Sequence, residues 1–256
     1  MSETKTLLKV TDLVKESNES SGARFRLLEN ISFTVQQGEI VTILAPPKAG
    51  KSTLLKLICG IEKPDSGTVQ FIQSDPLNYN PNAIYLPSEP SSLPWLSVRG
   101  NIELMLKLRG TYTREASSKA LDYAKLVGLD GYDDHIPHNS SIGFRFRISL
   151  ASALAAMPKS LLIDEPLNLV SHRGRDEIYN MICRLKEQTG ITIIWACSGV
   201  KEALILSDRI LVMGKNPGRI LKEFSVAASG TRREMLPESD RYAALRKEIS
   251  QIYEMS

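Results

Sequence analysis

A chain of 256 residues, 42% hydrophobic and 24% charged, is long enough for one large α/β domain or a core carrying a subdomain, and suits two unrelated domains less well. Its formal charge of +3 comes from basic residues spread along the chain, which argues against nucleic acid as a partner. Cys59, Cys183 and Cys197 stand far apart in apolar stretches, so they read as small buried residues of a reducing compartment, with no disulfide framework and no metal site. Met1 to Lys5 is polar, with no hydrophobic signal core, and no run approaches the length of a membrane span, so the chain is expected in the cytoplasm.

In chain order, Leu7 to Leu13 reads as a first strand and Glu16 to Arg24 as an exposed hairpin loop. Ile31 to Val35 alternates as a half-buried strand, and Gln36-Gln37-Gly38 turns it into the apolar β-branched strand that starts at Ile40. That strand stops at a Pro/Gly loop, and the pattern restarts as a helix over Thr53 to Ile58 with its stop at Gly60. A turn at Lys63 to Gly67 leads to the strand Thr68 to Ile72, so antiparallel strands flank the loop. After the strand Ile84 to Leu86 come a Pro/Ser loop, Pro87 to Leu96, and two helices, Val98 to Leu108 and Arg114 to Val127. This helical insertion interrupts the β/α alternation. The alternation resumes with an alanine-rich helix from Arg147 to Met157, the buried strand Ser160 to Ile163, the strand Thr192 to Trp195, a helix around Glu202, and the strand Arg209 to Met213. Such a series makes a mostly parallel sheet.

Two motifs carry chemistry. The loop after Ile40 to Leu44 ends in Gly50-Lys51-Ser52, the closing half of the phosphate-loop pattern GxxxxGK[ST]. Successive N–H groups from Ala49 to Thr53 would face an anion at the helix N-terminus, Lys51 would reach the β/γ-phosphates, and the Ser52 hydroxyl would sit on Mg²⁺. The opening glycine is replaced by Ala45, where a tight turn out of the strand normally suits glycine, and Pro47 has no N–H to donate. The second motif is Asp164-Glu165-Pro166 at the end of the strand from Ser160. There Asp164 can order Mg²⁺ and its waters, and Glu165 can orient or deprotonate an attacking water. A nucleotide and Mg²⁺ are the ligands these motifs imply.

From Leu7 to Met213 the chain resembles the nucleotide-binding subunits of ABC transporters. The order of elements matches: antiparallel subdomain, phosphate loop, helical insertion, alanine-rich helix, acidic strand end, switch strand. Leu93-Pro94-Trp95-Leu96-Ser97-Val98, Gly214-Lys215-Asn216-Pro217-Gly218-Arg219-Ile220, the pair Arg232-Arg233 and a tail helix from Asp240 to Tyr253 look like importer subunits of the nitrate, sulfonate and taurine group. The resemblance implies an α/β P-loop NTPase core with a mostly parallel sheet, an antiparallel β subdomain and an inserted helical subdomain. It divides the chain into an ATP-binding domain at 1–222, with the helical subdomain at about 89–145, and a tail at 223–256.

The resemblance also shows where this chain departs from its family. The LSGGQ signature falls on Ser140-Ser141-Ile142-Gly143-Phe144, leaving Ser141 and Gly143 to donate to the γ-phosphate of an opposite subunit. The reporting glutamine is Ser88, the switch histidine is Ser198, the aspartate after the acidic motif is Ser171, and the adenine-stacking aromatic aligns with Ser17. His172 lies near that aspartate position but not at the switch, and His135 and His138 read as solvated. These losses gather on the residues that touch nucleotide, which points to a degenerate member that binds Mg²⁺–ATP and hydrolyses it slowly alone. Its expected partners are a second ATPase subunit with more complete motifs and an integral membrane permease, with the chain peripheral on the cytoplasmic face of the membrane. A non-hydrolysing regulatory or docking module of the same fold, and a small-molecule P-loop kinase, remain as alternatives.

Overall fold

The computed structural model describes residues 5–18, 24–72, 82–168, 170–226 and 240–254. Its elements are β1 (Thr6–Asn18), β2 (Arg24–Gln36), β3 (Ile40–Leu44), α1 (Lys51–Cys59), β4 (Ser66–Phe71), β5 (Ala83–Leu86), α2 (Val98–Leu108), α3 (Arg114–Leu126), α4 (Ile142–Ala155), β6 (Ser160–Asp164), α5 (His172–Thr189), β7 (Thr192–Cys197), α6 (Val200–Leu206), β8 (Arg209–Met213), β9 (Ile220–Ser225) and α7 (Asp240–Glu254). They fall into two compact units, one of Met1–Asp75 with Thr192–Ser256 and the other of Pro76–Ile191.

In the first unit β3 and β7 are buried at every position, as β-branched and apolar strands of a parallel sheet are. The strand order is β7-β3-β8-β9, with Thr42 of β3 opposite Trp195 and Ile210 in parallel register. The one hydroxyl in β3 is not orphaned, because Ser207 Oγ donates to Thr42 Oγ1 at 2.6 Å. β9 closes the edge antiparallel to β8 and was not anticipated from the sequence. Its alternation is weak, with Phe224 its one buried residue. The central position of β3 puts the loop after Leu44 at the C-terminal end of parallel strands, where such sheets place their ligands.

The antiparallel sheet of the same unit has the order β2-β1-β4. Its hairpin is longer than the sequence suggests, since Glu16 pairs with Arg26, Ser17 with Phe25 and Asn18 with Arg24. Polar residues remain in the ladder because backbone hydrogen bonds hold it, and Asp65 adds one by accepting the Glu16 N–H at 2.7 Å. Residues 19–23 of the expected loop lie outside the described residues. Lys15 lies opposite Leu28 and Glu16 opposite Arg26, so Leu27 is a bulged residue of β2.

In the second unit β5 and β6 pair in parallel, Ala83 with Ser160 through Leu86 with Ile163. Helices α2, α3 and α4 pack pairwise through buried stripes that include Ile102 and Leu106, Ala120 and Ala124, and Leu150 and Ala151. Asn101 pins the turn before α2 by donating to the carbonyls of Leu93, Leu96 and Ser97 and accepting from the Leu93 N–H. The alanine-rich helix starts at Ile142, five residues before the expected Arg147, because the Ser141 hydroxyl accepts the Phe144 N–H at 3.2 Å and caps it. The helix α5 was not read from the sequence, although Ile178, Met181, Ile182 and Leu185 are buried at helical spacing. The tail helix is present as α7, while Arg232 and Arg233 lie outside the described residues. No helix among the described residues is long and apolar enough to cross a membrane.

Candidate functional site

The loop from β3 to α1 is the phosphate-loop candidate. Ala45 is buried, donates its N–H to the Cys197 carbonyl at 3.2 Å, and is not among the residues with positive φ. The alanine therefore meets no left-handed turn, and the difficulty expected from its missing glycine does not arise. The strained turns come later, at Lys48 with φ 66° and Gly50 with φ 95°. Glycine is required at 50 for two reasons. Its backbone is left-handed, and a Cβ there would stand 2.7 Å from Leu28 Cδ2 and 3.5 Å from Leu27 Cγ, the residues at the β2 bulge.

The helix α1 opens without a side-chain cap and without an acidic residue in its first turn. The N–H groups of a first turn have no partner inside the helix, so those of Ser52 and Thr53 stand at a positive dipole end suited to an anion. Three longer helices differ. Ser97, Ser141 and Ser171 each cap their own helix. Lys51 is 4% exposed, and its ammonium donates to the carbonyls of Ala45 at 2.7 Å and Pro46 at 2.9 Å and to Ser198 Oγ at 3.1 Å. The phosphate-loop lysine and the switch residue thus meet.

The loop before β9 braces this region from behind. Gly218 exchanges backbone hydrogen bonds with Leu27 and Glu29, and a Cβ on it would lie 2.5 Å from the Ala49 carbonyl oxygen. Arg219 and Arg26 converge on Glu29, and their hydrogen bonds, Arg219's first, hold its carboxyl below the ordinary carboxylate range. Ala49 is thereby fixed between α1 and a close-packed glycine.

The other candidates lie in the second unit. Asp164 is 3% exposed at the end of β6; Tyr85 donates its hydroxyl to Oδ2 at 2.8 Å, while Oδ1 has no hydrogen-bond partner among the described residues. A buried polar oxygen left unmatched is costly, and a divalent cation with oxygen ligands is a partner that satisfies it. A buried carboxylate is a hard oxygen donor of the kind magnesium takes, so Asp164 fits that ion. Glu165 has φ 43°, a left-handed value that residues other than glycine rarely adopt and that gathers at functional sites. Asn168 Nδ2 donates to its Oε2 at 2.7 Å.

Ser141 and Gly143 open α4 beside a cavity of about 520 Å³ that Phe144, Arg147, Ser171 and Glu177 also line. Burial lowers the Arg147 pKa, against the raising effect of Glu177. The capping oxygen of Ser141 accepts a bond and still has its own proton to donate. Ser171 caps α5 by accepting the Gly174 N–H at 3.4 Å. His135 contacts Ser140 Oγ at 3.1 Å and meets the Phe144 and Tyr132 rings edge-on, so it is an aromatic-cluster residue. Ser88 is exposed, His138 contacts Asn139, and of His172 only the backbone is described. Sequence reasoning missed Tyr85, Asn168, Gly218 and Tyr253, the last of which donates its hydroxyl to the Ser198 carbonyl at 2.9 Å.

Comparison with known proteins matches residues 28–168 to the ABC transporter family model. An aliphatic sulfonates import ATP-binding protein of Pseudomonas syringae pv. tomato is 36% identical over 200 residues, covering 78% of this chain and 81% of that protein. A taurine import ATP-binding protein of Ruegeria pomeroyi is 30% identical over 240 residues, covering 92% and 90%. Among solved structures, cbiO1 from Clostridium perfringens, part of the ABC transporter complex cbiONQ, superposes with a TM-score of 0.74 at 25% identity over 98% of each chain. A phosphate loop that opens an uncapped helix at the end of a buried parallel strand, an acidic pair closing a second such strand, and relatives of this similarity agree: the chain belongs to the ABC transporter ATP-binding family, with its P-loop NTPase fold.

Proposed function

We propose that this protein is the ATP-binding subunit of an importer, coupling Mg²⁺–ATP binding to solute movement through a membrane permease while serving as the degenerate half of a pair of ATPase chains. The observation that carries this reading is Lys51, buried at the mouth of an uncapped helix with its ammonium on loop carbonyls that a phosphate can replace. The relatives' names, import ATP-binding proteins for sulfonates and taurine, support import as the direction.

In this reading the N–H groups of Ala49 to Thr53 cradle the phosphates, and Lys51 turns to the β/γ-phosphate oxygens. Ser52 and Asp164 hold Mg²⁺, which when bound neutralises charge on the phosphate oxygens. Phe25, an exposed ring on β2 directly across the ladder from Ser17, receives the base. Glu165 orients the attacking water. Ser198 offers a hydroxyl where an imidazole would hold water and γ-phosphate together, so turnover by the single chain is slow.

Two chains of this kind meet head to tail, and the permease holds them at the cytoplasmic face of the membrane. Paired with a more complete ATPase, this chain contributes a site that holds ATP, and lends Ser141 and Gly143 to the site that turns over. In the assembled complex, replacing Ser141 and Gly143 is expected to lower ATPase activity by about 10²-fold, the usual effect of losing a transition-state donor, and more than Glu165→Gln does. A transporter with two copies of this chain and no other ATPase, or one silenced by Glu165→Gln alone, would contradict the asymmetric reading. Ser198 favours one rival, a docking module that binds nucleotide without hydrolysis. That rival predicts a complex with no turnover at either site.

A further inference from the structure

The tail helix reaches the phosphate loop through a chain of named contacts. Tyr242, Ile249 and Tyr253 lie seven and four residues apart on one stripe of α7, with Tyr242 and Ile249 buried. Glu248 ties the same helix to β9 through Lys222 at 2.6 Å. From this anchored helix the Tyr253 hydroxyl donates to the Ser198 carbonyl at 2.9 Å, and Ser198 Oγ accepts the Lys51 ammonium at 3.1 Å. All of these residues belong to one compact unit.

We infer that Tyr253 is a positioning residue that keeps Ser198 on Lys51, so that the C-terminal helix sets how readily the phosphate loop accepts a nucleotide. The physical reason is competition for one ammonium. A phosphate oxygen must take Lys51 from the Ala45 and Pro46 carbonyls and from Ser198 Oγ, and each acceptor that is held in place raises the cost of the exchange. Freeing the Ser198 backbone from Tyr253 lets its hydroxyl leave the lysine. The inference rests on the reading of Lys51 as a phosphate ligand.

Calorimetry of the full chain with Mg²⁺–ATP tests it through Tyr253→Phe, Ser198→Ala, the double variant and Lys51→Ala. Tyr253→Phe and Ser198→Ala should each tighten binding about three- to tenfold, the range expected from one hydrogen bond. The double variant should bind no more tightly than Ser198→Ala alone, because the phenol acts only through that serine. A merely structural role for Tyr253 would instead show as a lowered Tm with additive effects, and would overturn the proposal. So would unchanged or weakened binding in Tyr253→Phe, provided Lys51→Ala itself weakens binding. If Lys51→Ala leaves binding intact, it is the nucleotide reading of the loop that fails.

Discussion

Lys51 and Asp164 are both nearly sealed from solvent, yet their surroundings answer burial in opposite ways. The lysine donates to two carbonyls of its own loop and to the Ser198 hydroxyl. The aspartate has one donor, Tyr85, and a second oxygen without a hydrogen-bond partner among the described residues. Because burial of a polar group costs free energy unless it is matched, the lysine is already matched without a ligand and must exchange bonds to take one. The acidic end gains a bond by taking a cation. On the proposed reading, nucleotide phosphates would compete with the protein for Lys51, while magnesium would complete the bonding of Asp164.

Lys51→Ala should break this contrast most severely. It removes a charged donor to phosphate, worth about 3 kcal/mol or roughly 150-fold in Mg²⁺–ATP affinity. It should also lower the stability of the unliganded chain by about 1–3 kcal/mol, because Ala45, Pro46 and Ser198 lose their shared donor. Calorimetry and thermal unfolding read the two effects separately. A wild-type Tm for unliganded Lys51→Ala would show that the loop does not depend on its lysine.

Asp164→Asn sharpens the contrast from the other side. With one donor from Tyr85 and an unmatched oxygen to begin with, this variant should keep its unliganded stability within about 1 kcal/mol of wild type. Its ATP affinity should fall by about 2 kcal/mol, roughly 30-fold, and should no longer respond to magnesium. Titrations with and without Mg²⁺ check this. A variant whose binding still strengthens on adding Mg²⁺ would remove Asp164 from the cation site.

The two ends were not equally legible in the sequence. Gly50-Lys51-Ser52 could be read because its chemistry is local: strand, loop and helix follow one another within a few residues. The long-range partners of Lys51 and Asp164 could not be read, because Ser198 and Tyr85 arrive from 147 and 79 residues away. The same distance problem hid Tyr253 and Gly218. Ala45 was misjudged for a different reason. The pattern asks for glycine there, but the backbone puts its left-handed turns at Lys48 and Gly50 instead. At α4 the periodicity was sound, and the early start came from a serine cap that apolar spacing does not register.

Phe25 carries the smallest expected effect and extends the contrast beyond the phosphates. An alignment along β1 alone leaves Ser17 where a base-stacking ring is expected, which predicts weak adenine binding. The ladder changes that expectation, since Ser17 pairs directly with Phe25, a ring 39% exposed and two residues from the bulged Leu27 that lies against Gly50. Antiparallel partners stand close enough for one strand to supply a side chain its neighbour lacks. An aromatic face offered to a base contributes about 1 kcal/mol, so Phe25→Ala should weaken Mg²⁺–ATP about fivefold while leaving the binding of inorganic triphosphate unchanged. Phe25→Tyr should retain wild-type affinity, because stacking uses the face of the ring. If Phe25→Ala weakens triphosphate as much as ATP, the residue supports the loop and the base is held elsewhere. If it weakens neither, β2 has no part in nucleotide binding and the serine at 17 leaves the base without a platform.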